Sequence, residues 1–326
     1  MYTADEWPIA CKANFGPTAE DGTPIIEAGP KVWYDQLLQM AELGFTCIDP
    51  MDDWLPMAGL TDEQLRTYTE LLADTGLRTA AISIGRNSVV DVEHGERNLQ
   101  TIHRTIDRAA ELGATVVNIG FQENEARHRA RGEDPKLGYD VFDRNLTQAQ
   151  KDALWFWLAE GHHDDWSLRD LAIERVRDLA DHAQRLGLQI SLEIYEDTFV
   201  GTPEDAVSFY KDVDHPAVGI NPDIGNLFRL HRPMPKYTDM YNTVLPYANY
   251  WHIKNYIRDE DPATGSYMST PAPLQTGTIN YREVIRTALR MGYSGPFMTE
   301  HYGSDWLGVG AENARYIRQV LRAALR

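Results

Sequence analysis

The sequence predicts an α/β protein: one closed (β/α)8 barrel over residues 1–326, with insertions after its fourth and seventh strands. Three observations point there. Short apolar runs alternate with amphipathic helical stretches through eight βα units. The runs are apolar at consecutive positions, as parallel strands covered on both faces require. The first run leads into Phe15-Gly-Pro-Thr18, not into the Gly-x-Gly-x-x-Gly turn that cradles a pyrophosphate in an open doubly wound sheet.

The elements follow in order. A first strand is read at Pro8–Asn14, then a Gly/Pro-rich connection and a helix near Pro30–Leu43. A second strand is expected at Phe45–Asp49. The next helix opens at Thr61, whose spacing to Gln64 forms a capping box. A third strand covers Thr79–Ile84, with a helix from about Val92 to Leu112, and a fourth covers Thr115–Ile119. Gln189–Glu193, Val218–Asn221, Tyr250–Ile253 and Pro296–Glu300 complete the set. Helices end at Leu43-Gly44, Thr75-Gly76, Leu112-Gly113 and Leu186-Gly187, where a glycine accepts the left-handed conformation that closes a helix. Gly308–Arg326 is the eighth outer helix, apolar along Ala311, Ile317, Val320, Leu321 and Ala324.

Two stretches interrupt this rhythm. Residues 122–166 begin with a charged loop and continue as a helix from Thr147 to Glu160, carrying Trp155-Phe-Trp157. Three consecutive aromatics cannot share one helix face, so this helix is expected either to wedge against the barrel or to act as a lid or subunit contact. Residues 259–277, rich in Pro, Gly, Ser and Thr, are read as an ordered loop at the active-site rim. Neither forms a separate domain.

Composition narrows the function classes. A net charge of −18 opposes a nucleic-acid partner. Two cysteines, Cys11 and Cys47, provide neither a disulfide framework nor a Cys-x-x-Cys metal pair. No apolar run is long enough to span a membrane, and Met1–Trp7 lacks a basic segment followed by an apolar one. The expectation is a cytoplasmic protein.

The chemistry centres on Glu193, a carboxylate near the end of an apolar strand, costly to bury unless a cation meets it. Asp223 follows after 30 residues and His252 after 29 more, about one βα unit each. Glu300 lies a further 48 on, one unit plus the second insertion. All four then stand at the C-terminal ends of strands five to eight, where barrel enzymes place their sites. Carboxylates with one imidazole and no thiolate suit a hard divalent ion: Mn²⁺ first, with Mg²⁺ or Co²⁺ as alternatives. Lys254 points the same way as His252 by strand alternation and is a candidate substrate contact or a barrel-rim lysine paired to a ligand carboxylate. Lys12, Asn14, Trp54 and Asn118 sit at or just after strand ends and are candidates for sugar hydroxyl contacts or stacking. Tyr195 is a candidate donor to substrate or a packed aromatic.

Ser-Leu-Glu193, Asn-Pro-Asp223-Ile-Gly-Asn226, Trp-His252-Ile-Lys254-Asn, Gly277-x-Ile-Asn-Tyr281 and Gly-Tyr-x-Gly-Pro-Phe-Met-Thr-Glu300 resemble the xylose-isomerase-like sugar phosphate isomerase/epimerase superfamily. Its branches include ketose 3-epimerases, inosose dehydratases and catalytic subunits of C-glycoside deglycosidases. The motifs cover Leu188 to Glu300; the first 120 residues match only in βα rhythm. The resemblance implies that Glu193, Asp223, His252 and Glu300 are metal ligands and that Glu193 and Glu300 are also the acid and base. It implies a substrate-oxygen contact for Arg258. The chain departs from the epimerase pattern at Asn226, where that pattern has a substrate-contacting histidine. A histidine base found two residues after the first glutamate in some deglycosidases is replaced here by Tyr195.

The leading expectation is therefore a metal-dependent isomerase or epimerase that abstracts a proton α to a keto-sugar carbonyl through a metal-stabilised enediolate. The alternative is a lyase that shares this step but cleaves 3-oxo-glycosides by β-elimination. A non-catalytic sugar-binding subunit and a nuclease on abasic DNA are remoter readings. The partner is a small sugar or glycoside. The chain is expected to form a homo-oligomer or to pair with a small second subunit.

Overall fold

The computed structural model describes residues 2–85, 87–91, 93–121, 166–196, 198–230, 234–261, 263 and 266–326. Among these, parallel strands run β1 (Ile9–Lys12), β2 (Cys47–Asp49), β3 (Arg78–Thr79), β4 (Ala81–Ile84), β5 (Val116–Ile119), β6 (Gln189–Glu193), β7 (Val218–Asn221), β8 (Trp251–Ile253) and β11 (Phe297–Thr299). One continuous series, β3-β2-β1-β11-β8, meets another, β4-β5-β6-β7. The predicted third strand is broken at Ala80: β3 pairs with β2 and β4 with β5. Ala80 itself bonds to both sides, donating to Ile48 O and accepting from Thr115 N. β3 and β4 thus fill one of eight strand positions.

The remaining seam, between β7 and β8, is closed in a different way. Ile220 bridges Ala248, and Asn249 N donates to Ile220 O at 3.2 Å. One step further along, His252 N donates to the side chain of Asn221 at 2.8 Å. An asparagine thus takes the place of a backbone carbonyl and brings the His252 strand beside β7.

Helices cover the outside. The capping box at Thr61 forms as read, with Gln64 answering the backbone N–H of Thr61 at 2.9 Å. Gly44, Gly76, Gly113 and Gly187 all have φ between 71° and 92°, as their places after helices require. Large aromatics lock strands to helices: Trp251 packs between Tyr241, Tyr293 and Phe297, and Trp7 Nε1 donates to Gly295 O at 2.8 Å. Each fully buried ring of this kind stabilises the fold by about 2–3 kcal/mol relative to exposure.

The stretch read as a loop at 259–277 differs. It contains an antiparallel hairpin, β9 (Asn255–Asp261) with β10 (Ser266–Ala272), paired from Ser266↔Asp261 to Ala272↔Asn255. The turn-rich segment is confined to a few residues, while Tyr256, Ile257, Tyr267, Met268 and Thr270 on either side favour extended chain. The expected helix at 147–160 with Trp155–Trp157 lies outside the described residues. No helix among them is long and apolar enough to cross a membrane.

Candidate metal centre and active site

The strand registers bring the predicted residues to one end of the barrel. Glu193 stands beside Asn221 on the β6–β7 pair, and β8 delivers His252 next to them. Asp223 follows two residues after β7, where the chain turns into the short helix Gly225–Phe228. One ligand atom from each of Glu193, Asp223 and His252 lies within 4.8 Å of the other two. His252 Nδ1 is 3.4 Å from Glu193 Oε1 and 3.8 Å from Asp223 Oδ2.

Glu300 is placed differently. It stays outside that trio, held by Lys254 on Oε2, by Lys12 at 3.2 Å on Oε1 and by the Tyr302 hydroxyl at 2.6 Å on Oε1. The ammonium of Lys254 also reaches Asp223 Oδ2 at 2.7 Å, so it bridges the two carboxylates. Strand alternation placed Lys254 correctly on the inner side.

The site is buried and highly charged. Glu193, Asp223 and Glu300 are 3 %, 0 % and 5 % exposed. Burial raises the pKa of every acid here, and the local charges decide which acids overcome it. For Glu193, burial is outweighed by His252 and Lys254, and the carboxyl falls to about 2. Burial dominates at Asp223, where Glu193 and Glu300 add repulsion that Lys254 only partly offsets; the carboxyl is pushed up to about 7. Glu300 overcomes its burial through Lys254, Lys12 and His252, and lies well below the usual carboxylate range.

Asp223 supplies the test of fit for a cation. Its Oδ1 is buried without a partner, and Oδ2 has the Lys254 ammonium at 2.7 Å but no aligned hydrogen bond. A buried carboxylate left this way is costly, and a divalent ion shared with Glu193 and His252 removes that cost. Two carboxylates and one imidazole form a hard donor set that suits Mg²⁺ or Mn²⁺.

Glu193 is oriented from both sides. Asn118 donates to its Oε2 at 2.8 Å, and Asn226 donates to its Oε1 at 3.1 Å and to Ile194 O at 3.0 Å. Asn221 donates to Asn118 Oδ1 at 3.1 Å, completing a chain of amides across the barrel. Asn118 and Asn226 therefore hold the Glu193 carboxylate in place. Gly225 allows Lys254 to cross close by: a Cβ there would stand 2.5 Å from Lys254 Cγ.

A cavity of about 460 Å³ opens above, lined by Lys12, Asn14, Asp52, Asn87, Tyr195 and Tyr302 together with Glu193, His252 and Glu300. Two expected contacts lie elsewhere. Trp54 is fully buried, its indole donating to Gln36 at 2.9 Å and packing on Phe15 and Tyr68; past the end of β2 at Asp49 the chain has already turned into the core. Arg258 belongs to β9, where its guanidinium donates to Phe228 O and Leu230 O and lies 4.6 Å over Tyr267. Hairpin formation spends that arginine on the loop below.

Sequence reading missed Asp49, Ser83, Asp52, Asn87, Tyr250 and Tyr302. Asp49 and Ser83 carried a usable signal, as polar residues within otherwise apolar strands. Asp49 accepts from Ser83 N at 2.8 Å and Ser83 Oγ at 2.6 Å, and from the Tyr250 hydroxyl. Burial pushes the Asp49 carboxyl up, against the pull of His252, Ser83 and Tyr250.

The family model for the xylose isomerase-like TIM barrel matches residues 37–324. The chain belongs to the xylose isomerase-like TIM barrel family. A member of this family from Mycobacterium smegmatis, crystallised in complex with magnesium, is 55 % identical over 100 % of both chains with a TM-score of 0.88. An L-ribulose 3-epimerase is 16 % identical over 98 % of this chain and 96 % of its own, with a TM-score of 0.62. The 3-keto-D-glucoside 4-epimerase of E. coli is 13 % identical over 96 % and 99 %, with a TM-score of 0.60. At these identities the two epimerases share the fold of the xylose isomerase-like barrel. Among curated proteins, the glutamate–tRNA ligase of Corynebacterium glutamicum is 54 % identical over 48 residues, which are 15 % of this chain and 9 % of the ligase. The chain thus spans less than a tenth of that relative.

Proposed function

We propose that this protein is a divalent-metal-dependent enzyme that removes a proton α to the carbonyl of a keto-sugar, as an isomerase or epimerase. The observation that carries the reading is the convergence of Glu193, Asp223 and His252, with Asp223 Oδ1 buried and without a hydrogen-bond partner, beneath a cavity that Glu300 also lines. The 55 % identical relative in complex with magnesium supports a bound divalent ion; Mn²⁺ is the ion we favour for turnover because the donor set includes an imidazole. Glu193, Asp223 and His252 would hold the ion, with Glu300 beside them as a further carboxylate.

When bound, the ion polarises the substrate carbonyl and its neighbouring hydroxyl. This chain's residues do the rest. Glu193 or Glu300, both ionised at neutral pH, takes the C–H proton. The C–H electron pair becomes the C=C bond of an enediol(ate), and the carbonyl oxygen gains the charge. The other carboxylate, ionised at the outset, takes up a proton from solvent and returns it to the opposite face. Burial keeps the Tyr302 hydroxyl protonated, so it remains a donor beside Glu300. Lys12 holds Glu300 from the other side.

A second reading, β-elimination from a 3-oxo-glycoside, is favoured by Asn226. Its amide is committed to Glu193 and Ile194 O, away from the substrate contact that the epimerase pattern places there. The experiment is incubation of the magnesium- or manganese-loaded protein with free ketoses and with a 3-oxo-glucoside in D₂O. Deuterium at the carbon next to the carbonyl, lost in Glu193→Gln and Glu300→Gln, supports epimerisation. Aglycone release without exchange into free ketoses replaces it with the lyase. No exchange and no release from any of these probes removes both.

A further inference from the structure

His252 presents its two ring nitrogens to different surroundings. Nδ1 faces Glu193 and Asp223, at 3.4 and 3.8 Å. Nε2 faces Ser83 Oγ at 3.0 Å. To serve as a ligand toward the carboxylates, Nδ1 must carry its lone pair, which requires the proton to sit on Nε2.

The wall behind the ring supplies that constraint. Asp49 is fully buried and accepts three hydrogen bonds, from Ser83 N, Ser83 Oγ and the Tyr250 hydroxyl. A carboxylate in this role has no hydrogen to give, so the Ser83 hydroxyl hydrogen points at Asp49. Ser83 then offers only lone pairs to His252, and Nε2 must be the donor. Asn118 gives one amide hydrogen to Glu193 Oε2 at 2.8 Å, and its second meets Nε2 only at 3.4 Å, a longer contact than the 3.0 Å to Ser83 Oγ. Tyr250 restrains the ring itself, lying edge-on to it with centroids 5.0 Å apart at 84°. Tyr250 and His252 are two residues apart and share the inner face, while Asp49 and Ser83 come from neighbouring strand positions across the barrel.

We infer that Asp49, acting through Ser83, is a positioning device that fixes His252 as its Nε2–H tautomer and aims Nδ1 at the cation site. This inference rests on the metal reading proposed above and adds two residues that contact neither the ion nor the substrate. Without Asp49, the Ser83 hydroxyl can turn its hydrogen toward Nε2, and the ring then carries its proton on the wrong nitrogen. Tyr250 is the second donor to Asp49, which leaves the Ser83 hydrogen little alternative.

The test uses the full chain, with Ser83→Ala, Asp49→Asn and the conservative Ser83→Thr. Histidine ¹⁵N shifts of the Mg²⁺-loaded protein report the His252 tautomer, and calorimetry with Mg²⁺ alone reports affinity. The wild type is expected as Nε2–H. Ser83→Ala and Asp49→Asn are expected to populate the Nδ1–H form and to weaken Mg²⁺ about 10- to 100-fold, and Ser83→Thr to restore both. A purely structural role lowers the melting temperature while leaving tautomer and Mg²⁺ affinity in place. The inference is overturned by an Nδ1–H wild type, or by a folded Ser83→Ala protein whose Mg²⁺ affinity stays within about twofold. Asp49→Asn is the more disruptive change, and Ser83→Ala decides if that variant does not fold. A wild type that binds neither Mg²⁺ nor Mn²⁺ overturns the metal reading, and this assignment with it; a metal-binding wild type with the wrong tautomer overturns this assignment alone.

Discussion

Lys254 Nζ stands 2.7 Å from Asp223 Oδ2, and the same ammonium contacts Glu300. A lysine in this place competes with a metal for one of its ligands. Two positive charges within a few ångströms repel by several kcal/mol even in a well-screened site. Lys254→Gln is therefore expected to tighten Mg²⁺ binding about tenfold or more by calorimetry, while deuterium exchange into ketose falls because Glu300 loses its partner. Weaker Mg²⁺ binding in this variant would show that Lys254 supports the ion and does not oppose it.

The acid at the centre of that contact has its own pH signature. Asp223 is pushed up to about 7, chiefly by burial, and binding a cation requires its ionised form. Mg²⁺ affinity is expected to climb as pH rises from 6 to 8 and to level off above that, as the proton that must leave is lost. Asp223→Asn should abolish the climb along with most of the affinity. A flat profile across this range in the wild type contradicts the assignment of Asp223 as a ligand.

Gly225 tests how the loop and lysine share space. Its missing side chain leaves room for the Lys254 stem, and Asp223 Oδ1 is 3.1 Å from where a Cβ would stand. Gly225→Ala is expected to cost about 1–3 kcal/mol by overpacking, measured by urea unfolding, and to disturb Mg²⁺ binding at the same time. Unchanged stability would mean that the Lys254 stem moves aside freely.

Asp52 borders the cavity and is pushed up to about 6, mainly by burial, despite donors from Gly85 N at 3.1 Å and Asn87 at 2.5 Å. A carboxyl with its folded pKa above the unfolded value of 3.8 adds stability below pH 4 that is lost as pH rises through 6. Asp52→Asn removes this dependence. Relative to wild type it should gain on the order of 1–2 kcal/mol between pH 4 and 7, after allowing for the residue's partial exposure. Parallel stability curves for the two proteins over this range would exclude the shift.

Both cysteines are buried, and burial pushes the Cys11 thiol up to about 12 and raises that of Cys47. Thiolate is the reactive form, so neither should react with a thiol reagent at pH 8 until the protein is unfolded. Rapid labelling of the native protein would argue against this core.

Much of the site was legible because barrel topology turns sequence spacing into spatial adjacency. Glu193, Asp223 and His252 recur at about one βα unit, and parallel strands carry such residues to the same rim. The capping box at Thr61 and the glycines closing four helices were equally local, set by a few consecutive residues. The hairpin at Asn255–Ala272 was missed because turn-rich composition hid two strands that pair only with each other. Trp54 and Arg258 were misplaced because a residue just past a strand end can enter the core or join another element, and spacing does not decide which.

The sequence by itself determined the barrel, the rim on which the candidate residues gather and three side chains suited to a divalent ion, since these follow from periodicity and donor type. Tertiary structure decided what surrounds them. It placed Glu300 with Lys12, Lys254 and Tyr302, turned Asn118 and Asn226 toward Glu193, and set Asp49 and Ser83 behind His252. Those relationships join residues from opposite ends of the chain, as Lys12 with Glu300. They depend on rotamers and hydrogen-bond directions that only the packed interior fixes, where an unpaired polar group is too costly to leave.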